Sequence, residues 1–157
     1  MPVTVGASST ARDLLTGLAQ MIADSGIGVY RLTGSYAANE TAIVFKVMPS
    51  SPDRAIVLTA VPMTDQVMIP MGMVLVQARC RGVAGDPLDV DDLGDAVFDL
   101  LHGLKDQTFG AVHIIQCLRN SSVPMGQDSN RRWERIDHFY IDLDYAPTTN
   151  RPDGGWD

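Results

Sequence analysis

The sequence predicts an α+β domain in which two amphipathic helices pack on one face of a mostly antiparallel sheet of about five or six strands. Two segments carry apolar residues at helical spacing, and shorter segments alternate apolar and polar residues, in the order helix, several strands, helix, two strands. At 157 residues the chain has the length of one domain. Hydrophobic residues make up 45% and charged residues 20%, the balance of a globular protein.

The first helix is predicted from Thr10 to Ser25, with Ser8 to Thr10 as candidate caps and Gly26 as the stop. Its apolar face is formed by Leu14, Leu18, Met21 and Ile22.

The second helix is predicted from about Asp89 to Lys105. Its apolar face is formed by Leu93, Val97, Leu100, Leu101 and Leu104. Seven acidic residues and one lysine lie between Asp86 and Asp106, with most of the acids in the first turns. Carboxylates there complement the helix dipole and are more often a capping device than a cation site, so no metal is assigned.

The strands are rich in β-branched and aromatic residues with a period of two. They are predicted at Ile43–Val47, Ala55–Val61, Met73–Cys80, Ala111–Leu118 and Arg135–Leu143, with a sixth at Val29–Leu32. In the third and the last of the five, alternate residues are apolar, so one face of the sheet is predicted to be core. The opposite face, which includes Gln77, Arg79 and Arg81, is either solvated or a contact surface.

Two further segments are unusual for a lone monomer. Residues Met63–Met73 are predicted to form a loop, and its apolar side chains either fold back on the core or dock on a neighbouring subunit. Residues 1–144 are expected to form the single domain, followed by a flexible arm of residues 145–157. Trp156 in this arm is either an anchor in a partner pocket or part of a disordered terminus.

The search for chemistry finds no catalytic motif. The sequence has no G-x-S-x-G turn, no P-loop, no Cys-x-x-Cys and no His-Glu-x-x-His spacing, so we expect neither enzymatic activity nor a cofactor. Cys80 and Cys117 are expected to be buried reduced thiols. The segment Arg119–Arg132 is predicted to be a long polar loop between strands.

The charge balance disfavours direct nucleic-acid binding. Nineteen acidic and twelve basic residues give a net charge of -7, which repels polyanions. The sequence shows no signal segment and no apolar stretch long enough to cross a bilayer. We therefore expect a soluble protein that is made in a cytoplasm and has no membrane partner.

Four segments together resemble a known family. They read ARDLLTGLAQMIADSGIGVY, PDRAIVLTAVPM, VLVQARCRGVAGDPLDVDDLGDAVFDLLHGL and MGQDSNRRWERIDHFYIDL. The third matches a Val-Gln-x-Arg-x-Arg-Gly strand leading through a proline linker into a helix with a Leu-x-Gly end, at Val76, Gln77, Arg79, Arg81, Gly82, Pro87, Leu101 and Gly103. The fourth matches a Gly-x-Asp-x-x-x-Arg loop at Gly126, Asp128, Arg131 and Arg132, although Asn130 and Arg131 stand where relatives often have glycine.

Over about residues 10 to 143, this arrangement is similar to the tail terminator family of long-tailed bacteriophages, also called tail completion or minor capsid proteins. The resemblance implies a non-enzymatic virion protein that forms a hexameric ring on the tail tube at the head-tail junction. Such a ring stops tube polymerisation and offers a surface to the head connector, while DNA passes through it without specific binding.

The residues expected at subunit or tail contacts come from the apolar loop, the polar strand face, the later loop and the arm. They are Met63, Met68, Ile69, Met71, Gln77, Arg79, Arg81, Gly126, Asp128, Arg131, Arg132 and Trp156. One alternative is another ring protein of the head-tail junction. A different class of alternative is a small cytoplasmic enzyme that holds an anion with Arg79, Arg81, Arg131 and Arg132, which would require a deep pocket around those arginines.

Overall fold

A seven-stranded mixed sheet organises the computed structural model, which describes Val5 and residues 9–153. The elements are α1 (Thr10–Asp24), β1 (Val29–Tyr30), β2 (Ala42–Phe45), β3 (Ala55–Asp65), β4 (Met71–Arg81), α2 (Asp89–Leu101), β5 (Gln107–Phe109), β6 (Val112–Gln127) and β7 (Trp133–Asp144). The α+β class is confirmed, but the prediction of five or six strands missed one strand, β5.

The strand order is β1-β2-β3-β4-β7-β6-β5. The pairs β1–β2 and β2–β3 are parallel, and the four remaining pairs are antiparallel, so the sheet is mostly antiparallel as predicted. The long strands β3, β4, β7 and β6 form its centre. Because β4 pairs with β7 from Met71↔Asp144 to Arg81↔Glu134, the two hairpin turns at 66–70 and 128–132 lie at opposite ends of the sheet.

Helix α1 begins at Thr10 as predicted and ends at Asp24, one residue before the predicted end. The Ser9 hydroxyl accepts a hydrogen bond from the Arg12 N–H at 3.1 Å, which satisfies one of the unpaired amides of the first turn. Gly26 follows the helix with a φ of +89°, a conformation that glycine adopts without strain.

Helix α2 ends at Leu101, four residues before the predicted end. His102 has an extended backbone and Gly103 has a φ of +86°, so the chain leaves the helix there. The helix has no side-chain cap at Leu88. Instead, the buried Asp89 carboxylate accepts hydrogen bonds from the Val83 N–H at 2.8 Å and from the Arg54 guanidinium, which ties the helix start to the loop before β3.

One hydrophobic core lies between the sheet and both helices, so both helices cover the same face. Its largest fully buried side chains are Phe139, Leu14, Leu18, Ile22, Ile43, Ile56, Leu58, Leu101, Ile114, Ile141, Leu143 and Val76. On β4, Val74, Val76, Ala78 and Cys80 face this core. This is the face that the alternation in the sequence predicts.

Two predicted loops are mainly strand. Strand β3 continues to Asp65 and β4 starts at Met71, so the predicted loop Met63–Met73 is the end of a hairpin with a turn at 66–70. Strand β6 continues to Gln127, so the predicted loop Arg119–Arg132 is strand followed by a short turn. In both segments the strands stay paired beyond the buried part of the sheet. The exposed residues there do not alternate between apolar and polar, so the sequence pattern does not predict a strand.

Candidate functional site

The sheet face away from the helices is called the outer face here and consists of side chains of β3, β4, β7 and β6. The strand register arranges them in rows across the sheet. The rows are Val61–Leu75–Tyr140–Leu118, Thr59–Gln77–His138–Ser121 and Val57–Arg79–Ile136–Val123.

The first row is an apolar band across all four central strands. Val61 is 36% exposed, and Leu75, Leu118 and Tyr140 are only half-buried, since both helices lie on the opposite face. In a single chain this band meets solvent. A continuous apolar band on an open sheet face is typical of a contact surface.

The second row is polar, and the third is apolar apart from Arg79; polar side chains of both rows are hydrogen-bonded within the chain. The Ser121 hydroxyl and His138 Nδ1 are hydrogen-bonded at 2.9 Å. The Arg79 guanidinium donates to Glu134 at 2.6 Å while its side chain stays 42% exposed. Gln77 lies between Thr59 and His138 and is half-buried. Gln77 and Arg79 therefore remain accessible for contact.

Arg81 and Arg132 have internal roles. Arg81 is buried and donates to the carbonyl oxygens of Pro52 and Asp53 at 2.7 and 2.8 Å. Arg132 is also buried and donates to the Ser50 carbonyl at 2.7 Å and to the Asp128 carboxylate at 2.9 Å. Both arginines hold the loop before β3, so the isolated chain does not present them on its surface.

The turn between β6 and β7 is ordered by Asp128. One oxygen of its carboxylate accepts hydrogen bonds from the Asn130 and Arg132 N–H groups at 2.9 and 3.0 Å. Arg131 has a φ of +59° and is exposed, and Gly126 has a φ of +81°. Both φ values lie in the left-handed region, which glycine adopts without strain and arginine adopts rarely.

The β3–β4 hairpin end is partly exposed. Met63 is 50% and Val67 73% exposed, whereas Met68, Ile69 and Met71 are half-buried. The Met68 sulfur accepts a hydrogen bond from Arg151 at 3.5 Å. Met68, Ile69 and Met71 are therefore partly folded back on the chain, whereas Met63 and Val67 are exposed to solvent.

A cavity of about 810 Å³ lies between this hairpin end, the start of α1 and the segment after β7. Its lining is Thr10, Ala11, Leu14, Ala60, Pro62, Asp65, Gln66, Val67, Val74, Tyr145, Ala146, Pro147, Thr148, Asn150 and Arg151. The Tyr145 hydroxyl donates to Asp65 at 2.8 Å, and the Tyr145 N–H donates to the Pro70 carbonyl. Burial, followed by the bond to Asp65, raises the pKa of Tyr145 to about 12.

A buried charge network under α2 was missed by the sequence analysis. Arg135 on β7 bonds to Asp91 and Asp95 of α2 and to the buried Asp137, at 2.9–3.1 Å. Burial lowers the pKa of Arg135, but these carboxylates together outweigh burial and raise it. A Cβ on Gly94 would lie 2.3 Å from Arg135 Nε, so the glycine makes room for the guanidinium.

The anion-binding alternative gains no support. Arg81 and Arg132 bond to the chain itself, Arg79 pairs with Glu134, and the cavity is lined by other residues. Within Val5 and residues 9–153, no group of three His, Cys, Asp or Glu side chains is placed to hold a metal ion. Cys80 and Cys117 are buried free thiols, as predicted.

Among the described residues, no helix has the length and apolar character needed to span a bilayer. The remaining candidate, Trp156, lies outside the residues that the structure describes.

Comparisons with known proteins identify one matching family and a similar fold. Residues 21–145 match the sequence profile of a family described as bacteriophage tail terminator protein. A chain in the solved virion of a native gene transfer agent particle has a similar fold, with a TM-score of 0.64 and 14% identity, covering 87% of this chain and 99% of that chain. At this identity the likeness concerns the fold alone. Comparison with curated proteins gives no match.

Proposed function

Because the chain belongs to the bacteriophage tail terminator family, we propose that it forms a closed ring of six copies on the tail tube at the head-tail junction. The family makes it a structural component of a phage particle. The observation that supports self-assembly is the outer face, whose apolar band has no helix over it. Burying such a band against a second copy removes apolar area from water.

A closed ring requires two different patches on each subunit that meet in the same way around the circle. The outer face and the exposed β3–β4 hairpin end are our candidates. Within them, Met63 and Arg79 are the most exposed of the sequence-predicted residues, and Gln77, in the row between Arg79 and the apolar band, is half-buried. Arg131, exposed at the other hairpin turn, lies at the opposite end of the sheet.

In this proposal the ring stops polymerisation of the tube by covering its last layer, and its other surface binds the head connector. The negative net charge of the chain suits a bore through which DNA slides, because acidic groups repel phosphates. Asp92, Asp95 and Asp99 are the exposed acids of α2 available for such a lining, although Asp95 also bonds to Arg135. A predominantly basic bore would contradict this part.

The assembly claim is tested with Val61→Glu on the outer face. This side chain is exposed at the edge of the apolar band, so the charge should leave the fold intact and prevent ring formation. Native mass spectrometry should show six-copy rings for the unchanged protein and monomers for the variant. The control is Leu88→Glu, an equally drastic change at a 65% exposed position on the helix side. Rings that survive Val61→Glu would exclude the outer face as a contact.

A further inference from the structure

We propose that residues Asn120–Gln127, called here the distal half of β6, dock into the cavity beside the β3–β4 hairpin of a second copy. The inference rests on the proposed ring and names its second contact. It joins an exposed strand segment that carries Val123 and Met125 to an open apolar cavity, and the two occur at opposite ends of each subunit.

The distal half of β6 lies at an open edge of the sheet. The first half is covered, since β5 pairs with Val112–Ile114 and the turn after α2 bonds to Cys117 and to the Arg119 N–H. Beyond Arg119, in the part of the chain that the structure describes, β6 pairs with β7 alone. Val123 and Met125 are 43% and 49% exposed, and the segment Asn120–Gln127 has no charged residue.

Side chains rather than backbone are expected to make this contact. Pro124 has no N–H to donate, and the register with β7 shifts at Arg119/Ser121 and again at Pro124/Gly126. Proline and bulges are the features that prevent an edge strand from pairing with another strand. The exposed valine and methionine are not protected in this way, and methionine adapts well to irregular pockets.

The cavity fits an apolar segment. Its volume of about 810 Å³ lies within the range of roughly 300–1,000 Å³ typical of binding clefts. Leu14, Ala60, Pro62 and Val74 provide apolar walls, and Val67 stands exposed at its edge.

The geometry makes the contact intermolecular. Ten residues of β4 separate Met71 at the cavity end from Arg81 at the other end, and ten strand residues span about 33 Å. Gly126 pairs with Glu134, which lies opposite Arg81, so β6 ends far from its own cavity. Each copy therefore carries both the distal half of β6 and the cavity, but the two are too far apart to contact each other within one copy.

Charge favours a second copy as the occupant. The stretch Asn120–Arg132 contains two arginines and one aspartate, whereas the whole chain has a net charge of -7. Arg132 pairs with Asp128 within the turn, while Arg131 is exposed. The cavity lining carries one acid, Asp65, and one base, Arg151, so the attraction is between the exposed Arg131 and the negative charge of the neighbouring chain as a whole.

Disulfide trapping in the full chain tests the contact. Met125→Cys and Val67→Cys are combined, and the protein is oxidised with diamide and separated on a non-reducing gel. The native thiols do not compete, because burial raises the pKa of Cys80 and Cys117 to about 12. The control pairs Met125→Cys with Leu32→Cys, which is 80% exposed, similar to Val67, and lies after β1 away from the cavity.

The proposal predicts covalent oligomers up to six copies for the test pair and no species beyond a dimer for either single variant or the control pair. If native mass spectrometry detects rings but the two engineered cysteines form no disulfide, this contact is overturned and the ring proposal stands. A control pair that cross-links equally would overturn the contact as well. The contact would also be overturned if maleimide failed to label the cysteine at position 67 in monomers, because the cavity would then be filled by the same chain. A chain that forms no rings contradicts both proposals.

Discussion

Gly94 shows how one residue links helix α2 to the sheet. Glycine weakens a helix by about 1 kcal/mol relative to alanine, yet this one faces the buried guanidinium of Arg135. The guanidinium bonds to three carboxylates and lies beneath the helix backbone. Removing one partner of such a network leaves a buried charge uncompensated, which destabilises proteins strongly.

Gly94→Ala should therefore destabilise the fold despite the better helix propensity of alanine. Overpacking costs about 1–3 kcal/mol and alanine recovers about 1 kcal/mol of helix propensity, so we expect a net loss of up to about 2 kcal/mol in the free energy of unfolding. Urea denaturation measures it. Asp99→Ala, on the exposed side of the same helix, should change stability by less than about 0.5 kcal/mol. Equal or greater stability of Gly94→Ala would show that Arg135 moves aside without cost.

The Asp89 carboxyl should make the free energy of unfolding depend on pH. Hydrogen bonds from Arg54 lower the pKa of this carboxyl. Burial raises the pKa by less, and the hydrogen bond from the Val83 N–H lowers it further. Because the folded pKa lies below the unfolded one, near 3.9, the stabilisation is complete above that value and is lost as the pH falls through the folded pKa.

Asp89→Asn should lower the free energy of unfolding at pH 7 by about 1–3 kcal/mol, the range for hydrogen bonds to charged groups. The variant should also lose part of the stability decrease that occurs below about pH 4, since the group no longer titrates. Urea unfolding at several pH values measures both effects, with Asp92→Asn as an exposed neighbour for control. An unchanged pH profile would contradict the role assigned to the Arg54–Asp89 pair.

At the scale of elements, α1 holds the edge strand β5 through one aromatic contact. A Cβ on Gly17 would lie 2.1 Å from Phe109 Cγ, so the ring packs directly on the helix backbone. Gly17→Ala should displace β5 while the centre of the sheet stays paired. Hydrogen exchange should become faster at Gln107–Phe109 and remain slow in β3 and β4. Gln20→Ala, exposed on the same helix, should leave exchange unchanged, and slow exchange of β5 in Gly17→Ala would refute the contact.

Elements with a buried face were predictable. The cap at Ser9, the stop at Gly26 and the alternation in β4 and β7 each express a local rule that the fold obeys. Strand β5 was not predictable, because three residues bounded by a turn carry too little pattern to be distinguished from a loop. The distal half of β6 was mispredicted for a related reason, since its side chains are exposed and only backbone pairing with β7 makes it a strand.

The candidate site was predictable only in outline. Alternation correctly separated the core face of β4 from the face carrying Gln77 and Arg79. It did not reveal that Arg81 is buried, because the carbonyl groups it binds belong to a loop almost thirty residues earlier. The same holds for Arg132 and Ser50, so long-range partners decide which arginines remain at the surface.

At the scale of the whole molecule, the structure places unlike surfaces at opposite ends of one sheet. The cavity and the exposed hairpin end lie near Met71, and the exposed half of β6 ends near Arg81. Both helices occupy one face and leave the other open. A head-to-tail contact between two such surfaces, as proposed here, closes into a ring when the rotation permits and otherwise extends into a filament.

Electron microscopy of purified phage particles, with the protein located by a label fused to residue 157, tests the central claim most directly. The account predicts a single six-copy ring between the tail tube and the head. Particles made by a phage that lacks the gene for this chain should have no such ring. Tails in those particles should be abnormally long and without heads. Finding the label elsewhere in the particle, or finding none in particles that remain intact and infectious, would contradict it.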